Sequence, residues 1–488
     1  MSKLKKLAII IWSSLVKNFN LRIFGKKLWK KRFYKKLLKK FLRWNKALLI
    51  YSILLVMSNK QPCYNIGLVG SVSHGKSQTV KALTGVETFT HSKEKKLGIT
   101  MRIGYANCCI YKCTKCPEPQ CYQSSGSRTT LSQCVHCRSP LDLVEYFSFI
   151  DCPGHESLMS TMLSGATIMD YAILLIDGSQ KTFSSQTLEH LAAIELMQIK
   201  KIIILQNKLD LVDGNKAQEQ YDAIQQLIKG TCAESAPIIP FSAQKKYNLD
   251  VLCEFIVKYF GKVEREISTP KMNIIRSFDV NKPGSDIPLI TGGVLGGSLL
   301  KGEFKVGDII EIRPGIIKQT SNGKTWDQSS QFNLPVKGQG KTESKPLLAK
   351  IISMKSDSDA IEIARPGGLI GLCTNLDPSL TKSDKMVGQV VGLPGFMPDV
   401  YTECVAKCHF LERLNMETKL VPRKGDVVLL NISSKPITAT ILRNNKSLYK
   451  FELKYPCCMV PGEKFSMSAK IGNSWKLVGL CVLLDKNN

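Results

Sequence analysis

The chain has 488 residues, 43% hydrophobic and 22% charged. That composition excludes a disordered or fibrous protein and calls for two to four packed domains. Its net charge is +28, and residues 1–57 hold 16 Lys and Arg with no Asp or Glu, which leaves +12 for the other 431 residues. A moderately basic body suits a phosphate-rich partner such as RNA, or reflects a lysine-rich proteome.

The first 57 residues differ from the rest. Their apolar runs, Ala8–Ile11 and Ala47–Val56, fall short of the roughly 18–20 residues that span a bilayer. No transmembrane segment or cleavable signal peptide is expected, and the 17 cysteines then belong in a reducing, cytoplasmic compartment as core residues or metal ligands. Lysine doublets at 26–27, 30–31, 35–36 and 39–40 drift off the helical period, so no clean apolar face forms. The segment reads as a basic RNA-binding or membrane-surface arm, a Lys-rich targeting leader, or upstream sequence that is never translated. Met57 lies just before the first core strand. A chain starting there is expected to keep the core function.

From Asn65 to about Glu264, apolar strand-like runs alternate with helical ones, which predicts a parallel sheet covered on both faces. The predicted strands include Asn65–Val69, Tyr146–Ile150, Tyr171–Ile176 and Lys201–Leu205, and the predicted helices Leu188–Met197 and Ala217–Ile228.

Between the first strand and the helix-like run Thr79–Thr84 lies a phosphate-binding loop: Gly70, Ser71, Val72, Ser73, His74, Gly75, Lys76, Ser77, followed by Gln78. Its glycines let the backbone approach phosphate, and its N–H groups with the helix N-terminus supply partial positive charge. Lys76 would reach the β- and γ-phosphates and Ser77 would ligate Mg²⁺. The stretch Gly98-Ile99-Thr100 sits where a switch loop belongs, and Thr100 is either a Mg²⁺ ligand in the triphosphate state or a plain strand threonine.

Next come Cys113 and Cys116, then Cys134 and Cys137. Two Cys-x-x-Cys pairs at this separation fit a structural, tetrahedral zinc knuckle over 108–140, with four thiolates and no open position. Cys121 and His136 are spare ligands, and the alternative is unmetallated thiols in a polar loop.

Asp151 ends a strand, where a carboxylate holds the Mg²⁺ shell, and the Gly154 N–H is placed to sense the γ-phosphate. His155 follows and would orient the attacking water. Asn207, Lys208 and Asp210 follow another apolar strand. The Asp210 carboxylate would accept two bonds from guanine, whereas adenine would leave it unpaired at a cost of at least a few kcal/mol. Asn207 and Lys208 would brace the loops and pack on the base. Ser242, Ala243 and Gln244 complete the base site, with the Ala243 N–H facing guanine O6. These segments, in this order, specify GTP.

A polar stretch, Ile267–Lys271, reads as a linker. After it, short β-rich runs separated by Gly and Pro predict β-barrels: Asn273–Val280, Gly292–Leu300, Asp308–Ile312 and Gly368–Cys373, then Val427–Ile432, Ile437–Ile441 and Trp475–Leu484 after Pro394. Gln319–Pro346 reads as a mobile loop. Gly307-Asp308 and Gly425-Asp426 each open a strand, a faint sign that the two blocks are cousins. The expected organisation is a GTP-binding domain over 62–266 and β-barrels over 271–395 and 396–488.

Over essentially all of 62–488 the chain resembles the gamma subunit of eukaryotic and archaeal translation initiation factor 2, among relatives of elongation factor Tu. The resemblance is carried by Asn65–Gly67, Gly98–Ala106, Asp151–His155, Leu205–Lys208, Arg276–Gly284 and Met386–Gln389. It implies an α/β P-loop GTPase domain followed by two β-barrel domains, and a GTPase that binds GTP and GDP with Mg²⁺. Its implied partners are alpha and beta subunits of the same factor, initiator methionyl-tRNA, the small ribosomal subunit, and GTPase-activating and nucleotide-exchange factors. By the same resemblance Tyr105 would line the acceptor-end pocket for tRNA, and Val72 and Ile99 would flank the catalytic water beside His155. Gln78 replaces the family's usual small hydroxyl, and 177–187 lacks its usual glutamate and proline. Two other readings remain open: a selenocysteine-type elongation GTPase, and a GTP-gated tRNA carrier without significant hydrolysis of its own.

Overall fold

The structure is a computed structural model that describes residues 61–485 except 89–99, 101, 156–157, 181, 200, 266–267, 285, 287, 289, 322–323, 328–340, 411–420 and 473. The basic arm over 1–57 and the switch residue Ile99 lie outside the described residues.

The first domain is built on a seven-stranded sheet in the order β3-β2-β4-β1-β5-β6-β7. These strands are β1 (Asn65–Val69), β2 (Gly104–Cys113), β3 (Tyr122–Gly126), β4 (Leu141–Asp151), β5 (Tyr171–Asp177), β6 (Ile202–Asn207) and β7 (Ile238–Pro240). The helices that follow strands are α1 (Lys76–Thr84), α2 (Met159–Ala166), α3 (Ser185–Leu196), α4 (Gly214–Ile228) and α5 (Leu249–Phe255). β1, β4, β5, β6 and β7 run parallel, and their Ile, Leu, Val and Phe side chains are buried on both faces. Two apolar clusters result, one on each face of the sheet, each holding helices against it through the hydrophobic effect.

The sheet is not purely parallel as the alternation predicts. β2 pairs antiparallel with β4, and β3 antiparallel with β2. The excursion from β2 through β3 to β4 carries the cysteine pairs, so that segment is a β-hairpin extension at the sheet edge rather than a polar loop.

The second domain closes six antiparallel strands into a ring: Lys271–Phe278, Val294–Lys301, Ile370–Thr374, Lys341–Ser356, Ile309–Ser321 and Val390–Gly392. The expected mobile loop Gln319–Pro346 is in part strand. Thr320 pairs with Lys341, and Lys324–Asp327 folds back on Lys318–Ser321; residues 322–323 and 328–340 lie outside the described residues. The third domain is a closed six-stranded barrel formed by Asp399–Phe410, Leu448–Met459, Lys435–Asn445, Val427–Ile432, Lys464–Ile471 and Ser474–Leu483. Each ring closes on itself, with Lys324–Asp327 and Asp359–Ile361 added outside the ring of the second domain, and the apolar residues of alternate positions fill each interior.

The Gly-Asp pairs have the same local structure in both barrels. Gly307 (φ 96°) and Gly425 (φ 90°) take a backbone conformation that suits glycine. Asp308 Oδ2 accepts the Lys305 N–H (2.8 Å) and Asp426 Oδ2 the Arg423 N–H (2.7 Å). Gly307 then donates to Ile351 O and Gly425 to Ile441 O, and each Asp carbonyl accepts the same partner's N–H. One turn design therefore opens a strand in each barrel.

Candidate functional site

The nucleotide motifs meet at the carboxyl ends of β1, β4 and β6. β1 ends at Val69, and the loop then turns through Gly70, Ser73 (φ 64°) and Gly75 (φ 93°) into α1. A Cβ on Gly75 would sit 2.2 Å from Asn207 Nδ2, so only glycine fits there. The Lys76 ammonium is buried under the loop and donates to Gly70 O (2.6 Å) and Ser71 O (2.8 Å). Burial draws it down to about 8, with the Asp151 carboxylate opposing. A cation this poorly solvated gains much from an incoming polyphosphate.

The three expected Mg²⁺ ligands are together. Ser77 Oγ donates to Asp151 Oδ2 (2.6 Å) and lies 3.1 Å from Thr100 Oγ1. Thr88 Oγ1 also donates to Asp151 Oδ2 (2.5 Å). Hydroxyls and a carboxylate are the donor set a hard divalent cation takes. Gly154 packs directly over the loop, since a Cβ there would be 2.4 Å from Lys76 Nζ and 2.7 Å from Gly70 O. His155 is exposed and Val72 half-buried at the same end of the sheet.

The base-recognition segments are braced as one unit. Asn207 Nδ2 donates to His74 O (2.8 Å), and its Oδ1 accepts the Ala243 N–H (3.0 Å). Ser242 Oγ donates to Asp210 Oδ1 (2.6 Å), which aims the exposed carboxylate, and the Lys245 N–H returns to Ser242 Oγ (3.2 Å). Gln244 Oε1 accepts from Gln78 Nε2 (3.3 Å). Lys208 sits at φ 67° and pairs with Asp177 at 2.7 Å. Burial would push the Asp177 carboxyl up, but the Lys208 ammonium and the Ser179 hydroxyl hold it below the usual range.

The four cysteines of the edge hairpin converge. Cys113 Sγ is 3.4 Å from Cys137 Sγ, Cys116 Sγ is 3.6 Å from Cys134 Sγ, and all four lie within 4.8 Å of one another. Tetrahedral zinc–thiolate bonds of about 2.3 Å require sulfurs about 3.8 Å apart, so the cage fits that ion. Donors already face the sulfurs: Ser139 draws the Cys137 thiol down to about 6, Gln123 Nε2 donates to Cys134 Sγ (3.0 Å) and the Lys115 N–H to Cys113 Sγ (3.4 Å). The spare ligands do not join. Cys121 is buried in the apolar core, and His136 is exposed outside the cage.

Tyr105, near the start of β2, lines a cavity of about 510 Å³ between the first domain and the first barrel. Arg276, Phe278, Val280, Ile370 and Cys373 are among the other lining residues. The Tyr105 hydroxyl is buried without a hydrogen-bond partner among the described residues, and burial pushes its ionisation well up.

Four site residues escape the motifs. Thr88 and Asp177 are single residues in chain, although Asp177 closes an apolar strand as Asp151 does. Ser184 and Thr187, at the start of α3, hold Ser71 Oγ at 2.8 and 3.2 Å. They tie the phosphate loop to the start of α3, and only the three-dimensional contact reveals it.

Comparison with known proteins bears on the family. The chain is 43% identical over 439 residues to the "Eukaryotic translation initiation factor 2 subunit gamma" of Schizosaccharomyces pombe, covering 88% of this chain and 95% of that protein. It is 44% identical over 426 residues to the "Translation initiation factor 2 subunit gamma" of Methanocaldococcus jannaschii, covering 86% and 97%. The chain belongs to the initiation factor 2 gamma family. The family model "Elongation factor Tu GTP binding domain" matches residues 61–262, and "Initiation factor eIF2 gamma, C terminal" matches 402–483. The first domain of this gamma-family chain is accordingly a translational GTPase domain. Among solved structures, the elongation factor SelB of Methanococcus maripaludis with a GTP analogue superposes with TM-score 0.61 at 17% identity, over 87% of this chain and 79% of that one. The bacterial selenocysteine-specific factor gives 0.59 at 20% over 86% of this chain and 58% of that one. At such identities these neighbours share the fold. The selenocysteine reading gives way to the gamma family, to which the sequence is far closer.

Proposed function

We propose that this chain is the GTP-loaded subunit that carries initiator methionyl-tRNA to the small ribosomal subunit and hydrolyses GTP when the start site is selected. The observation that carries the reading is the placement of Tyr105. It lies one residue into β2, five residues after Thr100 and its contact to Ser77, and it faces a largely apolar cavity on the first barrel. Thr100, beside the expected Mg²⁺ ligands, and a cavity of about 510 Å³ thus adjoin on one short stretch of chain, which supports this reading.

In this reading Lys76 and the loop N–H groups hold the phosphates, Asp210, Ala243 and Asn207 select guanine, and Ser77, Thr100 and Asp151 hold Mg²⁺. Mg²⁺ held by these residues would supply positive charge against the phosphates. His155 orients the water, with Val72 and Ile99 screening it. Cys113, Cys116, Cys134 and Cys137 hold a structural Zn²⁺. The alpha and beta subunits, activating and exchange factors, and a cytoplasmic location belong to the same reading. No helix among the described residues is long and apolar enough to cross a membrane.

The test is equilibrium filter binding of charged initiator tRNA to the full chain with GTP, with GDP and with no nucleotide. Binding at least tenfold tighter with GTP, and lost when the tRNA is deacylated, supports the reading. Equal binding in all three conditions overturns it.

A further inference from the structure

Between the Mg²⁺-side loop and the Tyr105 cavity lies a small charged device that the nucleotide motifs do not explain. Thr100 Oγ1 is 3.1 Å from Ser77 Oγ. Two residues later, Arg102 Nη1 is 4.0 Å from Asp384 Oδ2, across the boundary on the first barrel. Three residues later, Ile103 O accepts from Arg276 Nη2 at 3.3 Å, also from the barrel. Arg276 Nη1 in turn meets Asp384 Oδ2 at 3.2 Å, and Asp384 Oδ1 accepts the Ser277 N–H at 3.0 Å.

The guanidinium is a planar fork, so its two ends cannot move independently. One nitrogen is fixed on the Asp384 carboxylate and the other on the carbonyl of Ile103. A shift of the chain at Ile103 therefore turns the whole Arg276 head. Arg276 also lines the cavity, and Gly296 leaves it room, because a Cβ there would press on Arg276 Cβ at 3.3 Å. The carboxylate is held in an unusual place. Ser383 (φ 57°) and Asp384 (φ 60°) are consecutive non-glycine residues in the left-handed region, a conformation that persists only where surrounding contacts over-determine it.

We propose that Asp384 is a positioning residue that, through Arg276, makes the cavity's affinity for the charged tRNA end depend on the arrangement of Thr100, Arg102 and Ile103, and so on the γ-phosphate. This rests on the tRNA-carrier reading above. Thr100 reports the nucleotide state, Arg102 and Ile103 pass it across the domain boundary, and Asp384 fixes the reference point against which Arg276 swings. Coupling of this kind is a difference of affinities between two states. Removing the reference point lowers the difference, whatever happens to the mean affinity.

The test uses the full chain and charged initiator tRNA, bound in the presence of GDP or a non-hydrolysable GTP analogue. Asp384→Asn keeps the shape, and Asn tolerates the left-handed backbone. Arg102→Gln changes an exposed side chain and spares the fold. With Asp384→Asn the ratio of tRNA affinities between the two nucleotide states is expected to fall at least about fivefold toward one, while the affinity for the nucleotides stays within twofold. Arg102→Gln is expected to move the ratio the same way by less. If both states weaken in parallel so that the ratio holds, the pair only supports the fold and the proposal is wrong; an unchanged ratio in both variants also overturns it. Should the unaltered chain show no nucleotide dependence, the carrier reading fails first, and this inference with it.

Discussion

Replacing Gly75 by alanine tests how tightly the phosphate loop is bound to the base-recognition segments. Two costs are visible. Gly75 sits at φ 93°, a region that costs an L-residue roughly 1–2 kcal/mol. Its new Cβ would also lie 2.2 Å from Asn207 Nδ2, so the amide must leave its place. That amide is buried and makes two hydrogen bonds, to His74 O and from the Ala243 N–H. Each broken buried bond costs about 1–3 kcal/mol. With partial relaxation the loss is about 3–5 kcal/mol, or two to four powers of ten in guanine-nucleotide affinity. Fluorescence titration with a labelled GDP reads it, and melting curves separate loss of fold from loss of binding. Gly85→Ala is the matched control: Gly85 has φ 72° with nothing within 4 Å of a new Cβ, so it is expected to cost about 1 kcal/mol of stability and leave affinity unchanged. Nucleotide affinity within threefold of the parent in Gly75→Ala, at an unchanged melting midpoint, would refute the reasoning.

Asp210→Asn is expected to weaken GTP binding by at least about a hundredfold and to favour xanthosine triphosphate, because an acceptor becomes a donor at the base edge; competition binding with both nucleotides decides it, and unchanged GTP preference removes Asp210 from the base site. His155→Ala is expected to retain GTP affinity and to slow ribosome-stimulated hydrolysis by about 10²–10⁴, read in single-turnover assays; a parental rate would show that His155 does not orient water. Metal analysis of the purified chain is expected to find about one zinc, and Cys137→Ser to lose most of it; a zinc-free protein that stays folded and active returns the thiols to plain structure. His190 is buried, and burial draws it down to about 3, below the ordinary histidine value of about 6.5. The unfolded chain therefore binds the extra proton first, so stability is fully present above pH 6.5 and falls as the pH drops below it, by up to about 1.4 kcal/mol per unit for this group. Urea midpoints at pH 7.5, 6.5 and 5.5 are expected to show a shallower acid slope in His190→Gln than in the parent chain, and identical slopes would sink the assignment.

The clustering of the expected nucleotide-site segments was legible because each is a short run at the end of an apolar strand, and the fold brings those strand ends together. β1 stands in the structure where the alternation placed it, and β5 and β6 lie within a residue or two. The strands β2 and β3 were not legible. Cys108, Cys109, Ile110 and Tyr111 bury in succession rather than alternately, so no period of two marks the strand. The ends of Gln319–Pro346 look like loop because their sequence is polar, although their backbone pairs as strand. Thr88, Ser184 and Thr187 reach the site only through space. So do Arg276 and Asp384, which meet residues far away in sequence, and no local pattern announces such a pairing.

The position of the cysteine hairpin has a colloidal consequence. β3 is the last strand on its side of the sheet, and it covers the flank of β2, whose ten residues are mostly buried. The four thiols converge beyond the far end of the pairing of Cys108–Lys112 with Tyr122–Gly126. Were the hairpin to open, a long apolar strand would present unsatisfied backbone groups to solvent, the template on which chains pair edge to edge. If a metal holds the thiol cage closed, losing it is expected to show first as aggregation, read by light scattering, and only later as a change in nucleotide binding.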